Sequence, residues 1–264
     1  MLENQIHPNF EVSSLTELRD FISNFKLLDK NTYYRGQANI SWPITPSLVR
    51  QKATLNQILD KEQKLIKDFK DEVNAANLEY LFAFSDIENS IRTEWEWLEQ
   101  MQHHGVPTRL IDWTSDYENA LYFATEDKTQ DDKNGVIYFV WDNLFFMAET
   151  SQAHTFENSS LPWLMERTTF FNMRINYNDN RLAQSGKFTV LSNDELFIAV
   201  DKNDKFKDWF LKIIIPKEAK ENIREELLEI GIDKNMIYPA LNTQILHVVN
   251  KVRIKNGFKP LIHA

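Results

Sequence analysis

Only six glycines occur along 264 residues, at positions 36, 105, 135, 186, 231 and 257, and no two lie close enough to build a phosphate-cradling loop. The Walker A pattern and the G-x-G-x-x-G dinucleotide fingerprint both depend on closely spaced glycines, so both are excluded. The fold class then follows from the order of apolar periodicities. Strand-like and helix-like segments alternate irregularly, several with short connections and without a regular βαβ rhythm. That order favours an α+β fold, with a mixed or mainly antiparallel sheet flanked by helices, over a doubly wound parallel one. No compositional break marks a linker, so residues 1–264 read as a single domain, with 1–30 and about 52–90 as helical elaborations.

Ser14 and Glu17 form a capping-box pattern ahead of Leu15, Leu18, Phe21, Ile22 and Phe25, which recur at helical spacing. TYYRG at 32–36 reads as a strand ending in a glycine turn. Residues 54–74 carry an apolar stripe suited to a surface helix, and a second helix is expected over 88–104. Gly105 and Pro107 then stop the helix and turn the chain extended, placing 108–114 on a strand. Ser115 and Glu118 suggest another capping box, opening a helix through YENALYFATED. Residues 127–134 read as a loop, GVIYFVW as a buried strand, and 186–191 and 209–215 as two more. Pro216 and Gly231 frame a final amphipathic helix.

The chain has no cysteine, which removes disulfides, thiolate zinc, iron–sulfur clusters and cysteine nucleophiles together. No apolar run approaches the roughly 18 residues of a membrane span, and MLENQIHPNF lacks the order of a signal peptide, so a cytoplasmic location with no membrane partner is expected. A net charge of -9 argues against a broad nucleic-acid footprint, while leaving room for a local basic cleft.

Three blocks carry polar residues where the pattern calls for buried ones. In Tyr34-Arg35-Gly36-Gln37, followed by Trp42 and Pro46 to Arg50, an arginine at a strand end could clamp an anion or pair with an internal carboxylate. In HHGVPTRLIDWT at 103–114, Arg109 and Asp112 are either an internal ion pair or part of a ligand pocket. That pocket would continue through Thr114 to a helix N-terminus at Ser115–Glu118. Adjacent His103 and His104 would point about 100° apart on a helix, which disfavours a metal site. In NRLAQSGKFT at 180–189, Arg181 and Gln184 stand at a strand mouth.

Together these blocks resemble the FRG domain family, whose aromatic-Arg-Gly motif stands here as Tyr34-Arg35-Gly36. The likeness extends through Trp42 to Arg50, HHGVPTRLIDWTSDYENALYFA at 103–124, NRLAQSGKF at 180–188 and IGIDKNMIYPAL at 230–241. It implies a prokaryotic or phage protein from a defence or toxin locus. A more distant similarity to mono-ADP-ribosyltransferases implies an ADP-ribosyltransferase-like core with NAD as co-substrate and no metal. The similarity assigns Arg35, Thr114 and Gln184 to catalysis and Tyr34, Arg35, Arg109, Trp113 and Ser115 to the cofactor, with Asp112, Arg181 and His104 in support. A neutral amide at 184 cannot supply the negative charge of a catalytic Glu, which leaves Asp112, Glu118 and Glu195 as candidate carboxylates. The partner would be a macromolecular acceptor, protein or nucleic acid, or a cognate antitoxin. Two other readings keep the same residues: a non-catalytic nucleotide or nucleic-acid sensor, and a structural interaction module. Arg35, Arg109, Asp112 and Gln184 are expected to converge on one cleft.

Overall fold

The computed structural model describes residues 10–24, 32–82, 94–141, 162, 169–172, 187–205, 210–238 and 242–261, with 141, 169–172 and 187 described for their backbone alone. Seven strands are present among them: β1 (Phe10–Glu11), β2 (Thr32–Gln37), β3 (Leu110–Trp113), β4 (Gly135–Trp141), β5 (Thr169–Asn172), β6 (Lys187–Val190) and β7 (Leu211–Ile215). The helices are α1 (Leu15–Asn24), α2 (Leu55–Ala75), α3 (Glu94–His103), α4 (Tyr117–Thr125), α5 (Lys220–Glu229), the single turn α6 (Lys234–Ile237) and α7 (Thr243–Lys255).

One sheet runs β1-β7-β4-β2 and the other β3-β6-β5. Every pairing is antiparallel except β1 with β7, so the expected mixed, mainly antiparallel α+β architecture is what the chain forms. An isolated bridge joins the sheets: Tyr34 N–H donates to the Thr114 carbonyl at 2.7 Å and Thr114 N–H returns to Tyr34 at 2.9 Å. Arg35 follows Tyr34 directly and therefore stands where the sheets part.

Alternation along the strands divides the core in two. Tyr34, Ile137, Phe139, Ile213 and Ile215 pack with Leu18 of α1, Ala120 of α4 and Ile223 of α5. Tyr33, Val136, Tyr138 and Val140 pack on the opposite face with Phe69 of α2, Leu98 of α3 and Val249 of α7. β4 is covered on both faces, which is why its sequence is a continuous apolar run. Helix α4 lies very close to the sheet, since a Cβ on Gly135 would come within 2.3 Å of the Ala124 carbonyl oxygen.

Several local readings need correction. Gly36 does not end its strand, because β2 continues to Gln37. The cap of α4 is Asp116, not Ser115: its Oδ1 accepts from Glu118 N–H at 2.8 Å and Asn119 N–H at 3.3 Å. At α1, Ser14 Oγ does accept from Glu17 N–H (3.1 Å), but the Glu17 carboxylate reaches back to Ser13 N–H (2.7 Å). Pro216 opens a short 3-10 turn before α5, and Gly231 past its end takes φ +84°. Helix α3 is described from Glu94, the earlier part of the expected helix lying outside the described residues. Helix α7 was not expected, because ILHVV at 245–249 is β-branched and lacks an obvious polar interval. No helix among the described residues is long and apolar enough to cross a membrane.

Candidate functional site

The bridge at Tyr34 and Thr114 sets β3 beside the outer edge of β2 and so brings Asp112 to Arg35. Arg35 Nη1 donates to the Asp112 backbone carbonyl at 2.8 Å. The Asp112 carboxylate is in turn held by α3, with Gln102 Nε2 donating to Oδ2 at 2.5 Å. Thr108 Oγ1 donates to Gln102 Oε1 at 2.5 Å and fixes which end of that amide faces Asp112. A further element brings a second arginine. The 3-10 turn at Ser47–Val49 is stitched to Thr108, with Leu48 N–H donating to its carbonyl (3.0 Å) and Thr108 N–H donating to Ser47 Oγ (3.1 Å), and Arg50 follows that turn.

The electrostatics of this cluster are uneven. Burial pushes the Arg35 guanidinium below its usual range; Asp112 opposes that shift and Arg50 adds to it. Burial likewise lowers Arg50, with Asp112 opposing. Crowding by the surrounding protein pushes the Asp112 carboxyl up, against the pull of Arg35, the Gln102 hydrogen bond and Arg50; the residue is nevertheless solvent-exposed, which weakens that push. Two guanidinium groups thus feel the charge of one carboxylate, although Arg35 touches Asp112 only at its backbone carbonyl, and Arg35 Nε–H is buried without a hydrogen-bond partner. An arrangement with a net positive charge and an unspent buried donor is suited to an anion.

Arg109 does not share this centre. Its side chain is fully buried and forks onto Glu62 of α2, Nε to Oε1 at 2.7 Å and Nη2 to Oε2 at 2.5 Å, while Nη1 reaches Asn193 Oδ1 at 3.1 Å. Tyr34 lies on the sheet face opposite Arg35, edge-on to Phe139 at 4.9 Å, and burial first among the causes raises its hydroxyl to about 12. Trp113 is buried, stacked on Phe210 at 5.6 Å, and donates Nε1–H to Thr189 Oγ1 at 2.8 Å. Thr114 Oγ1 accepts from Asp116 N–H at 3.1 Å, Ser115 is exposed, and His104 is buried edge-on to Phe82. Gln184 and Arg181 lie outside the described residues. No group of three or more metal-binding side chains occurs among the described residues. A cavity of about 330 Å³ between the end of α2 and the start of α7, lined by Ala76, Leu78, Thr243, Gln244, His247 and Val248, includes none of the Arg35 cluster.

Gln102 and Glu62 were not singled out by sequence reasoning, and Arg50 only as the end of a motif. Glu62 had a readable signal: it fills the helical position between Ile58 and Ile66 in the buried stripe of α2. Gln102 had none, since a glutamine near a helix end is ordinary.

Residues 30–133 match the FRG domain family model. That stretch is an FRG domain. The match contains every residue of the cluster, from Arg35 through Arg50, Gln102 and Thr108 to Asp112. No curated protein and no solved structure matches the chain.

Proposed function

We propose that the FRG domain binds a phosphate-bearing nucleotide at Arg35 and Arg50, with NAD+ as the dinucleotide to test. The observation that carries this reading is the unspent donor: Arg35 Nε–H is buried with no partner, beside an Asp112 whose carboxylate Gln102 already holds and whose charge Arg35 and Arg50 both feel. An incoming phosphate would relieve the repulsion between the arginines and take up that donor. Capping by Asp116 means the N-terminus of α4 has no role here, so the arginines supply the anion contacts.

A transferase reading is favoured by the position of Asp112. A carboxyl beside the anion site provides the negative charge that an amide at 184 lacks, and it could stabilise an oxocarbenium-like ribose as the nicotinamide bond breaks. The electron pair of that bond would leave with nicotinamide, and a nucleophile on a macromolecular acceptor would take the ribosyl carbon. The toxin setting implied by the FRG resemblance would then appear as growth arrest on expression.

Calorimetry of the wild type, Arg35→Lys and Arg50→Ala against NAD+, with nicotinamide release followed in parallel, tests both readings. Saturable heat that falls at least about tenfold in affinity in either variant supports the site, since lysine keeps the charge but loses the fork. No heat at millimolar NAD+ removes the dinucleotide. Binding without nicotinamide release removes the transferase and leaves a sensor.

A further inference from the structure

A second cluster lies on the surface where α4 meets α6, outside the Arg35 centre. Tyr122 and Phe123 of α4 and Tyr238 after α6 form a triangle of rings, with centroid separations of 6.0, 6.1 and 6.5 Å and interplanar angles of 64–80°. The contacts are edge-to-face, so the rings pack on one another and leave their outer faces, above all that of Tyr238, to meet a ligand. Tyr238 is 48% exposed and Met236, in the preceding turn, is 41% exposed, so the triangle opens to solvent beside an apolar rim.

Carboxylates stand beside it. Glu126, one turn beyond Tyr122, accepts from the Tyr238 hydroxyl at 2.8 Å. Asp233 caps α6 by accepting from Met236 N–H and also acts on the Tyr122 hydroxyl. Burial pushes Glu126 up, Asp127 adds to this, and the Tyr238 hydrogen bond, Lys234 and Tyr122 oppose it. Neither Glu126 nor Asp233 has an ion-pair partner among the described residues. Glu126, Asp127 and Asp233 thus stand around the rings against Lys234, while Arg224, whose Nη1 donates to the neighbouring Thr125 carbonyl, is paired with Asp131, which leaves negative charge beside aromatic faces that themselves attract cations.

We propose that the outer face of the Tyr122, Phe123 and Tyr238 cluster, with Glu126, forms a docking platform for an arginine side chain carried on a partner protein. Ring faces accept the flat guanidinium by stacking while its fork reaches Glu126, a combination that a lysine ammonium cannot reproduce. The exposed Met236 and the outer face of Tyr238 offer apolar contact to the residues flanking that arginine.

The test uses the whole chain with ring-labelled tyrosine and phenylalanine, titrated by NMR with the capped pentapeptide Gly-Ala-Arg-Ala-Gly. The same peptide with citrulline or lysine at the centre, and tetramethylammonium, serve as separate arms. Expected are saturating shifts of the Tyr122, Phe123 and Tyr238 rings with the arginine peptide, weaker by about tenfold with lysine and absent with citrulline. Glu126→Gln should weaken the arginine peptide several-fold. Tyr238→Ala should abolish its binding and Tyr238→Phe should largely keep it, which separates the ring from the hydroxyl. Equal binding of the citrulline peptide, equal binding of the lysine peptide, tighter binding of tetramethylammonium, wild-type affinity in Tyr238→Ala, or no shifts with the wild type each overturn the proposal.

Discussion

A Cβ on Gly36 would lie 1.8 Å from the carbonyl oxygen of Ala120 and 2.8 Å from the backbone nitrogen of Ala124. The glycine of the aromatic-Arg-Gly motif is therefore there to let α4 lie against β2, and its φ is not in the left-handed region. Gly36→Ala should cost more than about 3 kcal/mol, since rigid helix backbone must move. Gly231→Ala is the control: nothing lies within 4 Å of its Cβ and only the φ of +84° is penalised, a loss of about 1–2 kcal/mol. Thermal melts of both variants decide the matter, and equal losses would show that the close approach is not what constrains position 36.

Arg109 and Glu62 are a buried ion pair joining β3 to α2. Removing one partner leaves the other charge without compensation in the core, so Arg109→Met should cost about 3–5 kcal/mol. Replacing both, with Glu62→Leu beside Arg109→Met, should bring stability back to within about 1 kcal/mol of the wild type. Denaturant titrations of the two singles and the double form the required cycle. A double variant no better than Arg109→Met would mean that the pair does more than satisfy itself.

Glu99 on α3 is buried, its Oε2 has no hydrogen-bond partner, and burial, with Glu96 adding to it, pushes its carboxyl up to about 8. In the unfolded chain the same group titrates near its ordinary value of 4.5. The folded state therefore holds a proton that the unfolded state has lost between those two values, and stability falls as pH rises through that window. Glu99→Gln cannot ionise, so it should be more stable than the wild type by on the order of a few kcal/mol near pH 8.5 and nearly equal to it near pH 4. A melting-temperature difference that is flat from pH 4 to 8.5 would contradict this.

The architecture was legible wherever a periodicity was strong. GVIYFVW is β4 to the residue, and the stripe at Ile58, Leu65, Ile66, Phe69 and Val73 is the buried face of α2. The FRG resemblance located Arg35 and Asp112, and the structure places them in one cluster. It could not show that the partner of Arg109 would be Glu62, because that contact spans 47 positions and depends on how α2 lies across the sheet. That Tyr34 and Arg35 face opposite sides of the sheet was legible from strand alternation, yet the resemblance put both at one cofactor site. Helix α7 was missed because tertiary packing of Ile245, Val248, Val249 and Val252 overrides the modest helix propensity of β-branched residues.

That helix is tied down at its C-terminus by Asp68 of α2. Lys255 Nζ reaches Asp68 Oδ1 at 2.8 Å, while Lys64 Nζ and Asn256 Nδ2 reach Oδ2 at 2.6 and 2.9 Å. Burial alone would raise this carboxyl, but hydrogen bonds from Lys255, Lys64 and Asn256 outweigh it and hold it down at about 2. A depressed acid stabilises the fold above its unfolded value, near 3.8, and that contribution is lost as pH falls through 2. Asp68→Asn keeps the shape and removes the charge, so it should cost about 1–3 kcal/mol at pH 7. Near pH 2 the folded wild type is itself about half protonated there, so most of the gap should be gone. Melts at both pH values test this: an equal gap at pH 7 and pH 2, or no gap at pH 7, would mean that Asp68 does not anchor α7 through its charge.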